Sequence, residues 1–215
     1  MAVRYVIFDL DDTLVHSDAV RRAFCDVAST RGIDAAAVNA VCDAKPGQPA
    51  LNIFEALGYD REAATDAAVA FLARLEELNG ELPTVPYADA DATLRAVREQ
   101  GADLILSTGS PDERARRVLH ETGWDGFSLV LGSGPTCRKG ADHFGVMHEC
   151  IAAERWIGDA ATVGDSPADM QIAAEAGVPV RIAVARSRDA GTLRAAGATH
   201  VVQQLSEIVP ILAAA

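Results

Sequence analysis

Apolar residues fall in two rhythms along the chain. Val3 to Phe8 is a short run rich in β-branched and aromatic residues, the pattern of a buried strand, and it runs into Asp9-Leu10-Asp11-Asp12-Thr13. From Ser17 to Leu82 the spacing is helical, clearest over Ala19–Arg31 and Ala63–Leu78. Lys45-Pro46-Gly47-Gln48-Pro49 and Gly58 interrupt it, and no strand is predicted in this block. After Pro83–Pro86, strands and helices alternate. The pattern predicts a helix over Ala92–Gln100 stopped by Gly101, a strand over Asp103–Leu106, and a helix opening at Ser110-Pro111-Asp112-Glu113 with Ser as its cap. A strand at Ser128–Leu131, a helix around His143–Arg155 and a strand at Ala161–Gly164 follow. Ser166-Pro167-Ala168-Asp169 repeats the helix-start signal, Gly177 ends that helix, and Val180–Ala185 and His200–Val202 read as further strands.

This alternation predicts an α/β fold, a doubly wound parallel sheet with helices on both faces, built from residues 1–15 and 84–215 with a helical domain over 16–83 inserted. Functional groups in such sheets collect at the carboxyl ends of strands. Asp9, Asp11, Thr108 and Asp165 all fall just past predicted strands, so they should meet at one edge of the sheet.

Composition narrows the function. The 215 residues carry 31 acidic and 19 basic side chains, a net charge of −12. A nucleic-acid binder needs a basic face to displace counterions, so nucleic acid is not an expected partner. The short apolar N-terminus carries Arg4 and resembles no signal peptide, and no run approaches the length that crosses a bilayer. A cytoplasmic protein without a membrane partner is expected. Cys25, Cys42, Cys137 and Cys150 show no CxxC spacing and are expected to be buried thiols rather than a disulfide framework. His143 and His148 are five apart and would not share a helix face, so the nearby cysteines and histidines are not read as a zinc site. Of the basic residues only Lys45 and Lys139 are lysines.

Carboxylates at positions 9, 11 and 12 would repel one another at a strand end, which makes a packing role a poor explanation. A hard divalent cation relieves that repulsion, and Mg²⁺ prefers such oxygens. Asp165 and Asp169 would add ligands or orient them, although Asp169 also fits the first turn of a helix.

Phe8-Asp9-Leu10-Asp11-Asp12-Thr13-Leu14 resembles the first motif of the haloacid dehalogenase superfamily, usually DxDGT. Ile105-Leu106-Ser107-Thr108-Gly109 resembles the second motif, Lys139 is placed as the third-motif lysine, and Val163-Gly164-Asp165-Ser166-Pro167-Ala168-Asp169 resembles the fourth, GDxxxD. The resemblance implies a Rossmann-like core with a small α-helical cap, in the phosphatase branch. It implies Asp9 as the nucleophile that forms an aspartyl-phosphate, and Asp11 as general acid and then base. Mg²⁺ would be held by a carboxylate oxygen of Asp9, the main-chain carbonyl of Asp11, and Asp165. Thr108 and Gly109 would bind phosphate oxygens, with Asp169 in support and Lys139 neutralising the transferring group. Ser107 and Thr108 are adjacent, and a strand turns them to opposite faces; Thr108 is favoured because Gly109 and Ser110 follow it. The motif departs from the usual form at Asp12, where Gly is commoner. Branches that cleave carbon–halogen or carbon–phosphorus bonds lack the second Asp, so Asp11 favours ester chemistry.

The cap position implies a small phosphorylated metabolite as substrate, with Lys45 and Gln48 as candidate contacts. Two rivals accompany this reading: a phosphosugar mutase on the same nucleophile, and a non-catalytic metabolite-binding protein.

Overall fold

The structure, a computed structural model, describes residues 3–16, 18–45, 49–134, 136–186 and 188–215. In chain order its elements are β1 (Tyr5–Phe8), β2 (Val15–His16), α1 (Ala19–Ser29), α2 (Ala35–Ala44), α3 (Ala50–Ala56), α4 (Arg61–Glu81), β3 (Val85–Pro86), α5 (Ala90–Glu99) and β4 (Asp103–Pro111). There follow α6 (Asp112–Thr122), β5 (Phe127–Ser133), α7 (Ala141–Cys150), β6 (Ala160–Gly164), α8 (Pro167–Glu175), β7 (Val180–Val184), α9 (Ala190–Ala195), β8 (His200–Val202) and α10 (Ile208–Ala214). Two units emerge: Met1–His16 with Val85–Ala215, and Ser17–Thr84.

The first unit holds a six-stranded sheet in the order β5-β4-β1-β6-β7-β8, with every pairing parallel. Alternation of side chains along β1 builds two cores. Val6 and Phe8 pack with Leu104, Leu106 and Val163 beneath α5, α6 and α10. Tyr5 and Ile7 pack with Ile105 and Ala160 beneath Met147 of α7 and Ala173 of α8. β1 is also where the winding reverses, since the chain adds β4 on one side and β6 on the other. In open α/β sheets the crevice at the carboxyl ends beside such a switch point is where ligands bind.

The second unit, α1 to α4, contains no strand among the described residues. Its core is aromatic: Phe24 stacks on Phe71 with ring centroids 4.1 Å apart, and Phe54 packs between Phe24 and Tyr59. Asp34 and Asp60 cap α2 and α4 by accepting from the main-chain N–H of Ala37 and Ala63. No helix among the described residues is long and apolar enough to cross a membrane.

Three expectations need correction. β4 does not stop at Leu106 but continues to Pro111, which pairs with Ser133 after a shift of register. Thr108 therefore lies inside a strand, and Ser110 is not a helix cap: α6 starts at Asp112 without a side-chain cap, and the Ser110 hydroxyl turns elsewhere. α7 ends at Cys150 rather than near Arg155, because the chain leaves the helix at Ile151 and carries Trp156 into the core against Tyr5 and Phe144. The cysteines form no disulfide, but they are not buried: Cys25, Cys42 and Cys137 are partly exposed and Cys150 is exposed.

The turn after β1 explains the departure at Asp12. Its φ is +58°, the one left-handed non-glycine among the described residues. Its N–H donates to the Val15 carbonyl at 2.8 Å, closing the loop between the two acidic positions and β2. Glycine is the usual residue for this geometry, and Asp is among the few side chains that tolerate it. Asp12→Gly is expected to raise stability by up to about 1 kcal/mol while keeping the loop, measured by thermal unfolding in chelator. A lowered melting point would contradict this.

Candidate active site

Asp9 continues β1 by one residue, its N–H donating to the Val163 carbonyl at 2.9 Å. It lies on the Tyr5 and Ile7 side of the sheet and lines a small cavity with Ser107, Lys139 and Asp169. Burial, together with the negative charges of Asp169 and Asp11, outweighs Lys139 and raises Asp9 to about 7. Lys139 Nζ donates to Asp9 Oδ1 at 2.6 Å and also to Asp169 Oδ1. Burial alone would lower the lysine, but the two carboxylates prevail and raise it, so the ammonium stays charged. Arg138, its neighbour, instead donates its main-chain N–H to Asp142.

Asp165 follows β6 as Asp9 follows β1. It is buried, and burial together with the charges of Asp169, Asp9 and Asp12 raises its pKa well above the usual carboxylate range. Asp169 sits one turn into α8 in a capping box with Ser166: the Ser166 hydroxyl accepts from the Asp169 N–H and donates to Oδ2, and the Ser166 N–H donates to the same oxygen. Burial would raise Asp169, but Lys139 and Ser166 outweigh it and hold the carboxyl low. A side chain at Gly164 would put its Cβ 2.5 Å from the Asp169 carboxyl carbon, so only glycine permits this approach.

One oxygen from each of Asp9, Asp165 and Asp169 lies within 4.8 Å of the others. The donor set fits a hard divalent cation, which would relieve the repulsion that raises Asp9 and Asp165. Asp169 already spends Oδ1 on Lys139 and Oδ2 on Ser166, so Asp9 and Asp165 are the members that could hold it.

Asp11 is separate from this cluster. Arg114 of α6 grips both its oxygens, Nη2 to Oδ1 at 2.7 Å and Nη1 to Oδ2 at 3.0 Å, and Ser110 Oγ donates to Oδ2 at 2.6 Å. Ser107 Oγ lies 2.9 Å from Nδ1 of His143, a buried ring whose pKa burial lowers. Thr108 is buried, and its Oγ1 accepts from the Ser110 N–H at 3.1 Å. Gly109 is exposed beside it. Lys45, at the end of α2, is exposed. Gln48 lies outside the described residues.

Arg114, Ser110 and His143 were not legible as site residues. Arg114 stands in the charged run Asp112-Glu113-Arg114-Ala115-Arg116-Arg117. One signal was present: it is four residues before Val118, on the apolar face of α6 with Ala115 and Leu119, where an unpaired charge would not be tolerated.

A family model described as a haloacid dehalogenase-like hydrolase matches residues 3–177. A phosphoglycolate phosphatase of Cupriavidus necator is 28% identical over 213 residues, covering 96% of this chain and 92% of its own. One of Rhodospirillum rubrum is 32% identical over 191 residues, covering 81% and 77%. A crystal structure of a predicted phosphatase from Clostridium acetobutylicum, 20% identical, covers 99% of each chain with a TM-score of 0.82. The chain belongs to the haloacid dehalogenase-like hydrolase family, as a phosphoric monoester hydrolase.

Proposed function

We propose that the chain is a Mg²⁺-dependent phosphatase that hydrolyses a small phosphorylated metabolite through an aspartyl-phosphate on Asp9. The observation that carries this reading is the division of labour between two carboxylates two residues apart. Asp9 meets an ammonium in a buried cavity, while Asp11 is held apart by Arg114. A nucleophile and a proton carrier need such different surroundings.

In the first half-reaction an Asp9 oxygen attacks phosphorus, the bond to the leaving oxygen breaks, and Asp11 gives that oxygen its proton. In the second, the Asp11 carboxylate takes a proton from water as the water oxygen attacks phosphorus, and the bond to Asp9 breaks. Lys139 favours the anionic form of Asp9 and offsets charge on the phosphoryl oxygens. Thr108, Gly109 and Ser107 are assigned to those oxygens, and Asp169 steadies Lys139. Mg²⁺, held by Asp9, Asp165 and the Asp11 carbonyl, would supply charge neutralisation between nucleophile and phosphate. Lys45 and Gln48 would contact the substrate.

The names of the relatives make phosphoglycolate the first ester to assay, beside an aryl phosphate. Phosphate release that requires Mg²⁺ and is lost both in EDTA and in Asp9→Asn is the expected result. Activity surviving both treatments would overturn the mechanism. Interconversion of a hexose 1-phosphate without phosphate release would replace the hydrolase by a mutase.

A further inference from the structure

The surroundings of Asp11 are more elaborate than a proton carrier at a cleft requires. Arg114 is 4% exposed, and a guanidinium buried that deeply is costly unless its charge is met. It meets Asp11 through one N–H bond, from Nη1 to Oδ2 at 3.0 Å, and an ion-pair contact from Nη2 to Oδ1 at 2.7 Å, so both carboxylate oxygens face the guanidinium and the group is held in rotation. Ser110 closes a ring: its hydroxyl accepts from Arg114 Nη1 at 2.8 Å and donates to Asp11 Oδ2 at 2.6 Å. The Ser110 N–H in turn donates to Thr108 Oγ1, so the clamp continues into the residue assigned to the phosphate. Neither Lys139 nor the Asp9–Asp165–Asp169 cluster takes part in this ring. An Asp side chain without such partners would divide its time among rotamers.

We propose that Arg114 and Ser110 are positioning residues. They hold the Asp11 carboxyl in the rotamer from which it meets the leaving oxygen, and so set how well the enzyme turns over esters of strongly basic alkoxides. The proposal rests on the reading of Asp11 as general acid and base. It separates two kinds of ester. An aryl phosphate expels a weakly basic phenoxide that needs little protonation, whereas an alkyl phosphate depends on a correctly placed acid.

The test is steady-state kinetics with saturating Mg²⁺ on p-nitrophenyl phosphate and on phosphoglycolate, for the wild type, Arg114→Met, Arg114→Lys and Ser110→Ala. A positioned acid contributes about 10²–10⁴-fold, so Arg114→Met is expected to lower kcat on the alkyl ester by roughly 10–100-fold, with KM changed less than about threefold. The fall on the aryl ester should be several-fold smaller. Arg114→Lys should restore part of the alkyl rate, and Ser110→Ala should fall in the same sense by less. Ser110→Ala leaves the guanidinium and its carboxylate paired, so it decides the matter if Arg114→Met does not fold. Equal losses on both esters, an unchanged alkyl rate or a raised one would overturn the proposal. A wild type that hydrolyses neither ester would instead overturn the function proposed above.

Discussion

Lys139→Met is expected to lose turnover and, in chelator at pH 7.5, much of its stability as well. The ammonium touches Asp9 and Asp169 inside the sheet edge, with Asp165 beside them. Its removal leaves buried carboxylates without their direct counter-charge, a change that costs about 3–5 kcal/mol in buried pairs. For a chain of this size that corresponds to a fall in melting temperature of roughly 6–20 °C. The loss should shrink at pH 5, where the carboxyls that burial has raised take up protons instead. Mg²⁺ should restore melting temperature more in the variant than in the wild type, since it supplies positive charge to the same oxygens. Turnover should not return with it: removing a charged group from a transferring phosphoryl costs about 10³-fold or more. Lys139→Arg is the informative companion. The ammonium serves single oxygens of two separate residues, not both oxygens of one, so a planar fork does not reproduce it. That variant should keep most of the stability and lose about 10²-fold in kcat. Thermal melts with and without EDTA, read beside rates, check both variants; unchanged melting and unchanged turnover in Lys139→Met would refute the assignment.

The legible part of this protein is the part encoded locally. The buried run before Asp9, the alternation after Pro86 and the Ser166-Pro167 signal each reflect a preference acting within a few residues. They place β1, the parallel sheet and the start of α8 where the structure has them. Asp9 and Asp165 could be read as partners because each ends a strand, and parallel strands bring such ends together. Ser110 defeated the same logic. Ser-Pro-Asp-Glu satisfies the local rule for a helix start, but pairing of Pro111 with Ser133 extends the strand and releases the hydroxyl to Asp11. Arg114 and His143 depend mostly on tertiary placement. An arginine among other charges carries only the weak mark of its place on the apolar face of α6, a histidine between Asp142 and Phe144 carries none, and the packing of α6 and α7 turns both inward.

The same packing makes the site a source of instability, with a sign that can be measured. Asp9 is raised to about 7 and Asp165 well above its ordinary range, in each case chiefly by burial and neighbouring carboxylates. Between the ordinary carboxyl pKa and these raised values the folded chain binds more protons than the unfolded one. Stability of the metal-free protein must therefore fall as pH rises through that window, from about 4 to 7 and above for these two groups. Asp169, held low, contributes in the opposite sense, but its contribution is lost only as pH falls below the ordinary range, so it does not mask the trend. A decline on the order of 2–4 kcal/mol between pH 5 and 8 is expected in EDTA, and a flatter profile in Mg²⁺. Asp165→Asn removes one of the two raised carboxyls together with the repulsion that Asp169, Asp9 and Asp12 exert on it. It should therefore melt higher than the wild type at pH 8 in EDTA while losing about 10²–10³-fold or more of its Mg²⁺-dependent rate. A wild-type melting point that rises from pH 5 to 8 in EDTA, or an Asp165→Asn variant that is both less stable and fully active, would show that the raised carboxyls are not what limits stability. The expected pairing, a more stable protein with a disabled site, follows because the charge density that would recruit the cation is borne by the fold until the cation arrives.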